Sequence, residues 1–158
     1  MNRLCIDKHI ILVGVISAMV AFLTHLPELI ALSGDGSLFP GMKASDVINE
    51  VIFTFFSLML LFVLNIRTFR FNMGMVHIGW KQLSLSFIVT WLLSSVLGKC
   101  FVFLHQQFDI PAIDSMLHHY LHPLRDFMMA SIVVGSCYLI HLSRKSRMVL
   151  LDNQKLRT

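Results

Sequence analysis

Five of the eight histidines, His25, His105, His118, His119 and His122, fall at or near the ends of long apolar runs, all on one side of them. His118 and His122 are four residues apart, so on a helix they share a face. A divalent metal accepts such a pair of imidazoles, and His105, His25, Glu28 or Asp114 would complete the shell. The same rings titrate near neutral pH, so the cluster also suits proton sensing. The plainer alternative is an interfacial polar surface on which histidines are simply tolerated. Facing histidines on different helices also hold haem, which would pair His25 with His105 and His77 with His141, although the last two fall in or beside loops. No H-E-x-x-H or other catalytic metal signature occurs.

Two further ionisable residues lie where charge is costly. Glu50 is about one turn inside the second apolar run, and Lys99 about one turn before the end of the third. They sit at similar depth and could pair; alternatively each head group snorkels to the interface by itself. Other chemistry is missing. There is no G-x-x-x-x-G-K-[ST], no G-x-G-x-x-G, no G-x-S-x-G and no dithiol, and Cys5, Cys100 and Cys137 are far apart. No catalytic residue and no resident cofactor are expected.

The elements that position these residues are membrane spans. Hydrophobic residues make up 56% of the 158 residues and charged residues 14%, against roughly 25% charged in an ordinary soluble domain. The charge is missing in blocks. Four runs, at about 10–32, 47–66, 83–104 and 123–142, reach the roughly 17–25 residues that a helix needs to cross the hydrocarbon core. Backbone amides in lipid must bond internally, so each run is expected to be a helix. The fold class expected is all-α, an integral membrane four-helix bundle. Breakers such as Gly34, Pro40, Gly74 and Pro111 fill the short connections. Gly14, Ala18, Ala21, Ser94, Ser95, Gly98, Ser131 and Gly135 are small residues suited to helix contacts.

Lys and Arg set orientation. Ten of them (Arg3, Lys8, Arg67, Arg70, Lys81, Arg144, Lys145, Arg147, Lys155, Arg157) fall on one side and Lys43, Lys99 and Arg125 on the other. Both termini are therefore expected in the cytoplasm. The basic residues flank spans and form no single patch, so nucleic acid is not an expected partner. The first run is longer than the ~7–15 residues of a signal peptide core, and no small-x-small site follows at once, so retention is expected.

Residues 1–143 thus read as a four-span transmembrane domain and 144–158 as a cytoplasmic juxtamembrane helix. No Gly or Pro occurs after Gly135, and Leu142, Val149 and Leu156 recur every seven residues, a coiled-coil interval. A basic tail resting on anionic lipid is the alternative. The closing residues Leu151-Asp152-Asn153-Gln154-Lys155-Leu156-Arg157-Thr158 follow a basic stop-transfer segment. They resemble the juxtamembrane helix of LytS/YehU-type sensor histidine kinases, in which a Glu-Asn-x-x-Leu-Arg-like stretch follows a four-helix sensor. Asn153, Leu156 and Arg157 match, while Asp152 stands where Glu is commoner. The close match covers about the last fifteen residues. The Asn-Pro-His-Phe phosphoacceptor motif and ATP-binding boxes do not occur in these residues.

The resemblance implies a membrane-embedded signal-input module in a bacterial inner (cytoplasmic) membrane. It also implies a homodimer, lipid contacts, and a response regulator reached through a kinase region. The alternative is a stand-alone four-helix membrane protein that binds a metal, haem or lipidic ligand at its outer face.

Overall fold

The computed structural model describes residues 3–34, 39, 41–68, 78–113 and 116–156, with the backbone alone for 3–9 and 68. Among these residues the chain is all-α, with no strand. The helices are α1 (Arg3–Thr24), α2 (Leu26–Ser33), α3 (Ala44–Thr68), α4 (Trp80–Phe108) and α5 (Met116–Lys155). By length and apolar character α3, α4 and α5 can each cross a membrane, and α1 with α2 makes a fourth crossing if the bent pair is one span. Three to four spanning helices are the build of a multi-pass membrane protein.

The first span departs from the straight rod expected over 10–32. It bends by 54° between Thr24 and Leu26. Pro27 lies in the first turn of α2, has no N–H to give, and its ring crowds the carbonyl of Leu23. The Thr24 hydroxyl bonds back to the carbonyls of Val20 (2.9 Å) and Ala21 (3.1 Å), occupying acceptors of the last turn. The helix restarts where the Leu29 amide donates to the His25 carbonyl at 3.0 Å.

The last helix also differs. It begins at Met116, seven residues before Pro123, and runs through that proline to Lys155 over 40 residues, roughly 60 Å at 1.5 Å per residue. That is about twice the thickness of a hydrocarbon core. Pro123 removes one bond, to the His119 carbonyl, without ending the helix. Residues on both sides of 143 belong to this one helix, the continuity that the lack of Gly and Pro after Gly135 predicts.

Local chemistry accounts for the other ends. The Asp46 carboxylate accepts from the Lys43 amide (2.8 Å), a capping contact that starts α3. Asp109 takes the left-handed conformation (φ 50, ψ 34) that stops α4.

α3 is the hub, packing on α1, α4 and α5, while α4 and α5 share the most extensive contact. Val20, Ala21, Leu58, Leu61, Phe62, Met129, Val133 and Cys137 form the main core. A smaller cluster of Phe39, Val47 and Ile113 closes the end at which α2 leaves and α5 enters. The outer surface carries Ile11, Phe22, Phe56, Leu92 and Leu139, all large, apolar and exposed, as a lipid-facing surface requires. Of the small residues, Ala21 and Ser94 are buried at helix contacts. A side chain at Gly14 or Gly135 would meet open space, so these two glycines are not contact points.

Candidate functional site

Four helices aim polar side chains inward at one end of the bundle, and three of them supply ionisable ones. The bend before α2 carries His25 and Glu28 into the interior, where Glu28 has no exposed surface. Glu50 and Thr54, one turn apart, face inward from the start of α3. α4 supplies Ser94 and Ser95. His118, His122, Arg125 and Asp126 come from α5, spaced so that one face presents them all.

Glu28 is the centre. Its Oε1 accepts from Arg125 Nη2 and stands 3.1 Å from His118 Nδ1. Arg125 Nη1 is 2.8 Å from the same His118 Nδ1. A guanidinium only donates, so Nδ1 meets it as a lone pair; a carboxylate only accepts, so it asks that atom for a proton. Two hydrogen-bond arrangements therefore share almost the same heavy-atom positions, and one proton on Glu28 or on the ring selects between them. Around the triad, His25 Nε2 bonds Thr54 Oγ1 at 2.9 Å, and the rings of His25 and His118 stack at 6.3 Å. Asp126 accepts from Ser94 Oγ (2.7 Å) and Ser95 Oγ (3.0 Å).

The cluster is not electrostatically closed. Glu28, Glu50 and Asp126 are three buried carboxylates, and Arg125 is the one buried Arg or Lys among the described residues. His25 Nδ1, Glu28 Oε2 and His118 Nε2 are buried with no hydrogen-bond partner. His118 Nε2 lies 3.5 Å from Glu50 Oε1, and His25 Nδ1 lies 4.0 Å from Glu28 Oε2. Uncompensated charge is expensive at such sites, so these atoms mark the cluster as the candidate site.

Two spaces adjoin the cluster. A cavity of about 30 Å³ lies between Thr54, Ser94, Gly98, His122 and Arg125, the size of one water. On the other side of Glu50 and His122 a larger pocket of about 230 Å³ reaches His105, Gln106, His118 and His119.

The sequence brought the right residue types to this end but not the right pairs. His25, His118 and His122 do converge. His105 bonds the carbonyl of Ile110 and stands on the far wall of the larger pocket. Among the described residues no group of three His, Cys, Asp or Glu is arranged to hold a metal ion, so the expected shell of His118, His122, His105 and His25 is not assembled. Lys99 is exposed on α4 while Glu50 is buried against His118, so the Glu50–Lys99 pairing gives way to a Glu50–His118 contact. His77, Asp114 and Arg157 lie outside the described residues.

Arg125 enters the sequence reading only as an outer-side charge, yet with Asp126 it anchors the cluster. The signal for them was available: both follow Pro123 within a span, at a depth where ionisable side chains are rare. Thr54 gave no signal, since hydroxyls are common in such helices, and Ser94 and Ser95 signalled only a helix contact.

The fold and site together define a class, a multi-pass helical membrane protein with a buried, incompletely neutralised ionic cluster near one end of its bundle. No protein-family model, curated protein or solved structure matches this chain.

Proposed function

We propose that this chain is the membrane-embedded signal-input module of a two-component sensor histidine kinase in a bacterial inner membrane, with both termini cytoplasmic. One observation carries the reading: α5 joins the ionic cluster to the juxtamembrane segment without a break. His118, His122, Arg125 and Asp126 stand near one end of this helix; Leu142 and Val149 stand beyond its middle, exposed and seven residues apart. From Arg125 to Val149 the helix spans about 36 Å at 1.5 Å per residue. Leu156 continues the interval just past the end of α5, where its amide still bonds the Asp152 carbonyl at 3.1 Å.

A stiff helix with a switchable contact at one end and an apolar stripe at the other can pass on a shift or rotation. A change of proton or ligand at the Glu28–His118–Arg125 triad alters which contacts hold α5 against α2 and α3. The bias needed between two packings is only a few kcal/mol. The exposed stripe then pairs with that of a second copy, and the seam drives a kinase region that phosphorylates a response regulator. The Lys and Arg distribution supports the orientation, and the resemblance of residues 151–158 supports the partner.

The test is a fusion of this chain to a reporter kinase in cells. Replacing Leu142, Val149 and Leu156 with Gly is expected to abolish the response. Inserting one residue after Ser143 turns the stripe by about 100° and is expected to lock or invert output, while inserting seven restores the interval and the response. Signalling indifferent to all three changes overturns the proposal.

A further inference from the structure

The larger pocket beside the ionic cluster has a chemistry of its own. Its polar lining is Glu50, His105, Gln106, His118, His119 and His122, and among the described residues no Lys or Arg borders it. Glu50 makes no hydrogen bond among the described residues; its contact is His118 Nε2 at 3.5 Å. His118 is 1% exposed, borders the pocket, and leaves that nitrogen without a partner. The pocket is thus bounded by a carboxylate whose one ionic contact among the described residues is the edge of the His118 ring.

The neighbouring groups say which sign of ligand fits. The ring of His105 meets the Ile110 carbonyl through Nδ1. A carbonyl only accepts, so Nδ1 carries the proton and Nε2 of the neutral ring presents a lone pair. With the Glu50 carboxylate this places two acceptors on the lining, and the Gln106 amide offers a third. The cluster behind supplies more carboxylates than cations, so the local field favours positive charge. An anion would find no guanidinium or ammonium along the lining.

Size separates a molecule from a bare ion. The space is about 230 Å³, against roughly 30 Å³ for one water. Phe101, Val102 and Ile113 give it apolar walls, and among the described residues no three donors are set for a metal. We infer that this pocket binds a small organic cation, an ammonium or amidinium head on a short apolar body, with the head on Glu50 and the body against Phe101 and Ile113. Binding here does not depend on the signalling role of α5. Where that role holds, the ligand is a stimulus, because it contacts His118 and His122 at the start of the output helix.

The experiment is calorimetric titration of the full chain in lipid nanodiscs, with empty nanodiscs subtracted. The probes are n-butylammonium, n-butanol, butyrate and Zn²⁺ at neutral pH. Saturable heat is expected for n-butylammonium, with n-butanol and butyrate at least about tenfold weaker, the worth of a hydrogen-bonded charge pair. Glu50→Gln, checked for unchanged helicity, should weaken n-butylammonium by about tenfold or more. Ala112→Phe leaves every charge in place and narrows the pocket, so it should abolish binding; Lys99→Gln, outside the pocket, should leave it unchanged. Equal binding of the amine and the alcohol, preference for butyrate, or Zn²⁺ binding without amine binding each overturns the inference. Amine binding that survives both Glu50→Gln and Ala112→Phe overturns it as well. Because binding is read directly, a silent reporter kinase leaves this result standing, and a failed titration leaves the reporter result standing.

Discussion

Toward the end of α3, the Asn65 side chain is bonded at both ends: its amide nitrogen donates to Thr90 Oγ1 of α4 at 2.8 Å and to the Leu61 carbonyl of its own helix at 2.9 Å, and its Oδ1 accepts from Ser86 Oγ of α4 at 2.6 Å. Near the start of the same helix, Glu50 makes no such bond and faces an unpartnered imidazole nitrogen. The two positions are fifteen residues apart, about 22 Å along the axis, and both are buried. The Asn65 group is neutral, closed and shared by two helices. The Glu50 group is charged, open and shared among α2, α3, α4 and α5. A closed neutral network fixes one packing of α3 on α4. An open charged one leaves its energy sensitive to a proton, a ligand or a small helix movement. The bundle is thus clamped at one end and adjustable at the other, and α5 runs from the adjustable end.

Substitutions sharpen or break that contrast. The largest effect is expected from Arg125→Met, which strands Glu28 in the interior and should cost about 3–5 kcal/mol. Thermal unfolding in detergent micelles reads it, and Glu28→Gln added to Arg125→Met should recover much of the loss. A double variant no better than the single would mean that the pair is not the anchor of this end.

Next is Ser94→Ala, which takes one of two hydroxyl donors from the Asp126 carboxylate and is expected to cost about 1.5–3 kcal/mol in the same melt. At the clamped end, Asn65→Ala takes the acceptor from the Ser86 hydroxyl, while Thr90 keeps its bond to the Ser86 carbonyl, and should cost about 1–3 kcal/mol. Replacing the whole network at once, as Asn65→Leu with Ser86→Ala and Thr90→Val, should be close to neutral. A triple variant as unstable as Asn65→Ala would show that shape, not hydrogen bonding, holds α3 to α4. The smallest effect is Gly135→Ala, midway along α5 with open space at its Cβ; it should stabilise by about 0.5–1 kcal/mol through helix propensity alone.

Much of the helical layout was legible because it follows from solvation. A run such as 47–66 has so few charges that lipid is its natural medium, and an amide there has only its own helix to bond. The observed α3 extends it by only a turn at most. The extra length of α4 and the early start of α5 were less legible, since Asp109 and Met116 are set by local conformation. The bend at His25 was written in Pro27, yet the apolar run hid it, because hydropathy does not register a missing amide hydrogen.

The candidate site was legible by residue type and not by partner. The sequence alone settled that histidines and carboxylates gather at one end of the spans: segment length fixes depth, and depth fixes which side chains are costly. Which atom meets which was decided only by the tertiary structure. Glu28 reaches Arg125 across ninety-seven positions of chain, and Glu50 takes His118 instead of Lys99 because the rotation of α3 and α4 about their axes turns Lys99 outward. Hydropathy fixes where a helix lies along the membrane normal, but its rotation is set by how neighbouring side chains pack.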